Sequence, residues 1–276
     1  SDFVQQQNSI CDFATADSWV ILSPIEQSIK RKIEAVGTPL RDWNINIYRG
    51  VLTGCNEAFI IDTAKRNEIL SNCKDADERQ RTEELIRPIL RGRDIKRYGY
   101  VDNGLFLINT HNGIRGKLPR IDINDYPAVK AHLDQYWDRI STRTDKGDTP
   151  YNLRNCAYLE DFSRPKIVYP ETTQGAYFAF DDKGLFIDKT CFMLIADDAE
   201  YLQHTLSSRL FEFAYKRIFT SVELGEHGYQ YNKHALVKLP VIKPDKFLRL
   251  NVQNIDEQIY KLYGIANKEI HEIEKK

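Results

Sequence analysis

Methionine is almost missing from this chain. Met193 is the only one in 276 residues, and position 1 is serine. A chain that opens this way is expected to be a piece of a longer protein, with Ser1 at or near a boundary. Glycine never recurs at GxG spacing, which excludes a dinucleotide-binding loop. Cysteine is sparse: Cys11, Cys55, Cys73, Cys156 and Cys191 are far apart and form no CxxC pair. That argues against a disulfide framework and a structural zinc site, and fits free thiols in a reducing cytoplasm. No apolar run approaches the roughly 20 residues that a membrane span needs. The opening SDFVQQQNSICDF carries neither the basic nor the apolar segment of a secretion signal, so a cytoplasmic location without membrane is expected. Excess charge is lacking too: 39 Lys and Arg balance 40 Asp and Glu for a net −1. A nucleic-acid partner would therefore have to be met by basic residues segregated on one face.

What the chain does contain is an ordinary soluble composition, 42% hydrophobic and 29% charged, long enough to bury a full core. Ile25, Ile29 and Ile33 recur at i, i+4, i+8 and predict an amphipathic helix closed by Gly37. NINIY alternates as a strand does. EAFIID, GLFLINTH, RPKIVYPE, AYFAF and LFIDKTCFMLIA are further strand candidates. DADERQRTEELIRPIL, YPAVKAHLDQYWDRIS and DAEYLQHTLSSRLFEFAYKRIF predict helices, the last through an apolar face of Leu202, Leu206, Leu210, Phe213 and Ala214. HALVKLPVIKP predicts a strand ended by prolines. The C-terminus predicts two short helices around Gly264, the second capped by Asn267. Strands and helices mix without regular βαβ alternation, so the expected class is α+β, with mixed sheets and flanking helices. The expected organisation is a lead-in with a linker helix over 1–40, a main domain over 41–250 and a helical tail over 251–276.

The stretch IYRGVLTGCNEAFIID holds Gly50 and Gly54 between two strand-forming runs. It is no P-loop: the second glycine comes one residue early, and Cys55-Asn56 stand where Lys-Ser is needed. The residues read as a glycine-bearing hairpin.

Signatures of a self-sufficient active site are missing. His111, His132, His204, His227, His234 and His271 show no HExxH spacing, and there is no GxSxG elbow. There is no Asn-Pro-Pro-Tyr motif and no glycine-rich loop for S-adenosylmethionine. The pairs Asp181-Asp182 and Asp197-Asp198 sit in turn-like contexts and read as solvated turns. PDKF, Pro244–Phe247, is a poor relic of a nuclease motif.

The basic residues say more. RPILRGRDIKRYGY places Arg87, Arg91, Arg93, Lys96 and Arg97 against one acid, Asp94, with Tyr98 and Tyr100 interleaved. Arg115, Lys117 and Arg120 follow, then Arg154, Arg164 and Lys166. Arginine's planar fork grips a phosphate or a guanine edge with two parallel bonds. The second candidate is LGEHGYQYNKHAL, where His227, Tyr229, Gln230, Tyr231, Asn232 and Lys233 have the chemistry of a recognition loop. Gln and Asn can bond adenine through two contacts, and Tyr can stack. The bland readings are a solvated face with internal ion pairs and a polar hairpin.

These stretches, in order, resemble the TaqI-like C-terminal specificity domain, the target-recognition domain of adenine-specific DNA methyltransferases and single-chain restriction–modification enzymes. The matching blocks are RGVLTGCNEAFIID, ELIRPILRGRDIKRY, GDTPYNLRNCAYLEDFSRPKIVYPE, YLQHTLSSRLFEF, LVKLPVIKP and NIDEQIYKLYGI. They run from about Trp19 to about Ile265. Ser207 stands where the family has asparagine, Arg209 where it has lysine, and Thr149-Pro150 where it often has an aromatic residue. The resemblance implies that Gly50, Thr53, Gly54 and Asn56 shape a structural turn. It implies that the fragment binds double-stranded DNA and carries no catalytic residue or metal. Arg91, Arg93, Lys96, Arg97, Tyr98, Arg115, Lys117, Arg154, Tyr229, Gln230, Asn232 and Lys233 become the expected contacts. A methyltransferase domain earlier in the parent chain would hold S-adenosylmethionine, flip an adenine and methylate it; whether the parent also cuts DNA is left open. The rival expectation is a protein-interaction module docking a partner subunit or a DNA mimic.

Overall fold

In the computed structural model, residues 22–220, 223–224, 228–245 and 248–275 are described, with 223–224 as backbone only. The lead-in before Leu22, His227 and Lys246-Phe247 lie outside them.

A central antiparallel sheet divides two cores. Its strands run in the order Ala179–Asp181, Lys166–Pro170, Cys191–Ala196, Ile45–Arg49. Side chains alternate along a strand. The aligned row Ile47, Leu194 and Ile167 therefore enters one core, and the row Met193, Val168 and Ala179 enters the other. The first core is helical. It takes in Ile29 and Ile33, both fully buried, together with Leu202, Leu210, Ile259 and Ile273. Each such isoleucine stabilises the fold by about 1.5–3 kcal/mol through removal from water. The first described helix, Pro24–Val36, and the C-terminal helices thus belong to the same core. Ser28 and Lys32 both bind the Glu269 carboxylate across this contact. The second core is covered by a mixed sheet, Phe186–Ile187, Ile86–Leu90, Leu105–Ile108, Ile60–Asp62, whose first pair is parallel. Mixed sheets with flanking helices make the class α+β.

Local chemistry accounts for the boundaries that differ from expectation. The helix Ala76–Leu85 stops before Pro88, and Ile86–Leu90 is a strand. Proline disfavours the helical region for the residue before it, and the apolar run has a sheet to join. The long helix over Asp198–Phe219 breaks at Ser207-Ser208, because the Ser208 hydroxyl caps a new helix, Arg209–Ala214. Asn232 likewise accepts from the Ala235 N–H (2.8 Å) and opens a short helix, Lys233–Leu236, where a strand was expected. Only Pro240–Val241 beyond it pairs as strand, with Thr38–Pro39. Asn267 is the first residue of its helix, Asn267–Glu274, and the Ala266 N–H is satisfied by the Glu269 carboxylate (2.7 Å).

The Gly50–Asn56 stretch is not a hairpin. Its two flanking strands, Ile45–Arg49 and Ile60–Asp62, belong to different sheets, and a helical turn, Asn56–Phe59, intervenes. The stretch carries the chain from one layer to the other. Gly50 passes so close to the next strand that a Cβ would lie 2.0 Å from the Asp188 carbonyl oxygen. Gly54 has φ +67°, the left-handed region that glycine adopts most easily. The Thr53 hydroxyl donates to the Asn56 side-chain oxygen (2.5 Å) and accepts from the Cys55 N–H (3.2 Å).

Candidate nucleic-acid interface

The basic stretch folds as a short turn, Gly92–Asp94, followed by a hairpin of Ile95–Lys96 on Gly99–Tyr100. The Asp94 carboxylate organises it by accepting from the Arg91 backbone N–H (2.8 Å), the Arg91 guanidinium and the Asn103 amide. Burial alone would raise its pKa, but these donors outweigh burial and hold it below the usual carboxylate value. Arg91 is thereby spent on the turn. Arg93 points outward with no side-chain partner among the described residues, and Lys96 is exposed, its ammonium on the Arg93 carbonyl (2.8 Å). Arg97 is tied to Glu212 and to the Ser207 carbonyl.

Tyr98 sits in the two-residue hairpin loop with φ +65°, at the position that takes a left-handed residue. Its N–H bonds the Phe178 carbonyl (3.2 Å) and its ring packs on the helical core, where burial pushes the phenol up to about 12. A stacking role for Tyr98 does not fit this inward placement. Arg97 and Tyr98 instead line a groove of about 990 Å³ against the C-terminal helices.

The second stretch forms a three-stranded antiparallel ribbon, Glu223–Leu224, Gly228–Gln230, Thr172–Thr173. Alternation sends Tyr229 inward, 2% exposed, in van der Waals contact with Tyr215 and Tyr231. The expected contact through Tyr229 is therefore corrected: its ring roots the ribbon. Tyr231 is buried in the same cluster. Gln230 faces outward, Asn232 serves as a helix cap, and Lys233 is exposed.

The tertiary fold brings the two stretches together. The Gly92 N–H bonds the Thr190 hydroxyl (3.0 Å), the Glu171 N–H bonds the Thr190 carbonyl (2.9 Å), and the Tyr231 N–H bonds the Glu171 carbonyl (2.9 Å). Arg49 stands at this junction, unforeseen in the sequence. Its guanidinium pairs with Glu171, donates to the Lys189 carbonyl (3.1 Å) and lies over the Phe192 ring. Its position at the end of an alternating strand, just before a glycine, was the available signal. From Arg49 the path continues through Tyr158, whose hydroxyl bonds the Arg49 carbonyl (3.0 Å), to Glu160 and its partner Lys117. In the other direction Glu212 joins Arg97 to Lys216, and Lys216 reaches the Gln174 carbonyl beside the ribbon (3.3 Å). The result is a rim of paired charges around the two stretches, beside which Arg93, Lys96 and Lys189 are exposed.

Not every basic residue joins the rim. Arg115 is exposed without a partner among the described residues, and Arg154 pairs with Asp145 (3.3 Å). Lys166 is fully buried, bonded to Asp181 and to the Phe162 carbonyl (2.6 Å), and Asp181 is equally buried rather than a solvated turn. Arg143 is 7% exposed and donates to the carbonyls of Thr53 (2.6 Å), Pro150 (3.0 Å) and Asn152 (2.6 Å). It also lies 4.2 Å from the Phe59 ring centre, and burial lowers its pKa to about 10.

Among the described residues no cluster of His, Cys, Asp and Glu is arranged to hold a metal, and no helix is long and apolar enough to cross a membrane. The surface offers exposed cations, amides and hydroxyls around a rigid aromatic root, which is the chemistry of polyanion binding.

The chain belongs to the TaqI-like C-terminal specificity domain family, which matches residues 87–241, more than half its length. Among curated relatives it resembles the type II methyltransferase M.PaeR7I of Pseudomonas aeruginosa, 22% identical over 272 residues, covering 92% of this chain and 44% of that protein. Its fold resembles the type IIL restriction–modification enzyme MmeI, solved in complex with DNA, with a TM-score of 0.56 and 14% identity over 86% of this chain. It also resembles the type IIG restriction endonuclease BpuSI, with a TM-score of 0.51 and 13% identity over 87%. The chain spans 35% and 28% of those two structures, so it covers less than half of each of these relatives.

Proposed function

We propose that this chain reads the sequence of double-stranded DNA on behalf of a methyltransferase domain carried earlier in the same parent protein, in the cytoplasm. The observation that carries this is the junction of Gly92, Thr190, Glu171 and Tyr231, which aligns the basic turn and the polar ribbon on one rim. Arg93, Lys96, Arg49 and Lys189 hold phosphates and set register, while the ribbon faces base edges. Lys117, Arg154 and Arg115 extend the surface to the flanking duplex, and Lys233 does so beyond the ribbon. Arg91 and Arg97 act through the turn and hairpin they hold.

The parent's methyl donor would be S-adenosylmethionine, with an adenine flipped into the other domain. The residues of this chain do not fit that cofactor. There is no glycine-rich loop, and the Gly50–Gly54 turn is closed by Asp188 and by the Arg143 side chain.

Duplex binding measured against salt tests the reading. Each phosphate neutralised adds about −0.9 to the slope of log affinity on log salt. Arg93→Ala is expected to weaken binding to all sequences alike and to flatten that slope. A docking module for protein partners would leave both unchanged.

A further inference from the structure

We propose that the cross-strand pair Thr172–Gln230 is the base-reading element of this rim and that it recognises an A·T base pair in the major groove. This rests on the DNA-recognition reading above and deepens it.

Thr172 and Gln230 are direct partners across two antiparallel strands. Their neighbours Thr173 and Tyr229, also partners, point into the protein. With a two-residue period, Thr172 and Gln230 must stand side by side on the outer face. The root is rigid: the Tyr215 hydroxyl donates to the Gln230 carbonyl (2.5 Å), and Tyr229 and Tyr231 meet edge to face. The next outward position along the strand is Gly228, which has no side chain to crowd a base. The Gln230 carboxamide is half-exposed and makes no hydrogen bond among the described residues.

That amide offers an acceptor and a donor side by side. Adenine presents the complement, an N6 donor beside an N7 acceptor, whereas guanine presents two acceptors and leaves the amide oxygen opposed. The Thr172 methyl and hydroxyl suit the thymine methyl and O4 on the partner strand. The pair lies on two adjacent antiparallel strands, the element width that the major groove admits, and the cations at the ribbon's base meet the phosphates on either side.

The test is selection from a randomised duplex pool at low salt with this chain and its Gln230→Ala, Gln230→Glu, Thr172→Ala and Arg93→Ala variants. Gln230→Ala is expected to reduce the preference for A·T at one position by roughly five- to a hundredfold, leaving other positions alone. Gln230→Glu is expected to move that position toward C, whose N4 donor suits a carboxylate. Thr172→Ala should weaken the same position, and no other. Unchanged base preferences in the Gln230→Ala, Gln230→Glu and Thr172→Ala variants, while Arg93→Ala still lowers affinity, overturn this inference and leave DNA recognition standing. Binding by the wild-type chain that is absent, or indifferent to salt and to Arg93, overturns the recognition reading and this inference with it.

Discussion

Two turns in this molecule each hold an arginine, and they use it in opposite ways. At the Thr53 turn the Arg143 guanidinium is walled in, with three carbonyl acceptors and an aromatic face. At the Gly92 turn Arg93 faces solvent with no side-chain partner among the described residues. A guanidinium whose donors are already spent inside the fold has little left for a phosphate. One without internal partners has five donors to offer. The lesson is that positive charge marks a binding surface only after the internal carbonyls and carboxylates have taken their share.

The comparison is sharpened first by the buried cations. Lys166→Met leaves the Asp181 carboxylate buried without its counter-ion. It is expected to cost about 3–5 kcal/mol in denaturant-induced unfolding. Arg143→Ala leaves buried carbonyls without donors, at about 1–3 kcal/mol each before relaxation. A loss of about 3 kcal/mol is expected, with the salt slope of DNA binding unchanged once the protein is folded. A variant that kept its melting temperature but lost salt dependence would reverse the roles assigned to the two turns. Arg49→Ala combined with Arg93→Ala is expected to change stability by less than about 1 kcal/mol. The same double variant should reduce the magnitude of the salt slope by about 1.8.

A smaller effect concerns the acids on the rim. Glu171→Gln frees Arg49 from its half-exposed partner. Stability should move by under about 1 kcal/mol, and affinity for non-specific duplex should rise a few-fold in a fluorescence-anisotropy titration. Lowered affinity would mean that Glu171 itself contributes to binding.

The smallest is a pH effect on the fold alone. Burial lowers the pKa of His111, His132 and His204. The unfolded chain then binds more protons just below the ordinary histidine value of about 6.5. Stability is therefore complete above that pH and falls as pH drops below it. Melting at pH 7.5 and at pH 5.5 should show the loss, and a midpoint that rises on acidification would contradict it.

Much of the fold is legible along the chain because its periodicities are local. The Ile29 and Ile33 stripe, the alternation of NINIY and RPKIVYP, and the pair of C-terminal helices all follow from which faces must leave water. The breaks were harder to read. Ser207-Ser208, Asn232 and the strand through Pro88 depend on single side chains capping a neighbour, or on a sheet waiting for the segment. The Gly50–Asn56 stretch resembles a hairpin because glycine and flanking strand formers are what a hairpin needs. Its strands are claimed by different partners, Cys191–Ala196 and Leu105–Ile108, far along the chain. On the candidate surface, Arg93, Lys96 and Gln230 face outward as their residue types suggest, while Tyr98 packs on the helical core and Tyr229 joins the buried aromatic cluster. Arg49 escaped notice because its basic and acidic neighbours arrive from residues more than a hundred positions away.

By itself the sequence determined the class of fold, the alternation that makes the central sheet two-faced, and the ordered blocks of a specificity domain. These are consequences of hydrophobic burial and backbone preference, which act over a few residues at a time. Only the tertiary structure decided which cations are free. Whether a guanidinium finds a carbonyl, a carboxylate or open water depends on segments distant along the chain, and no local pattern carries that information.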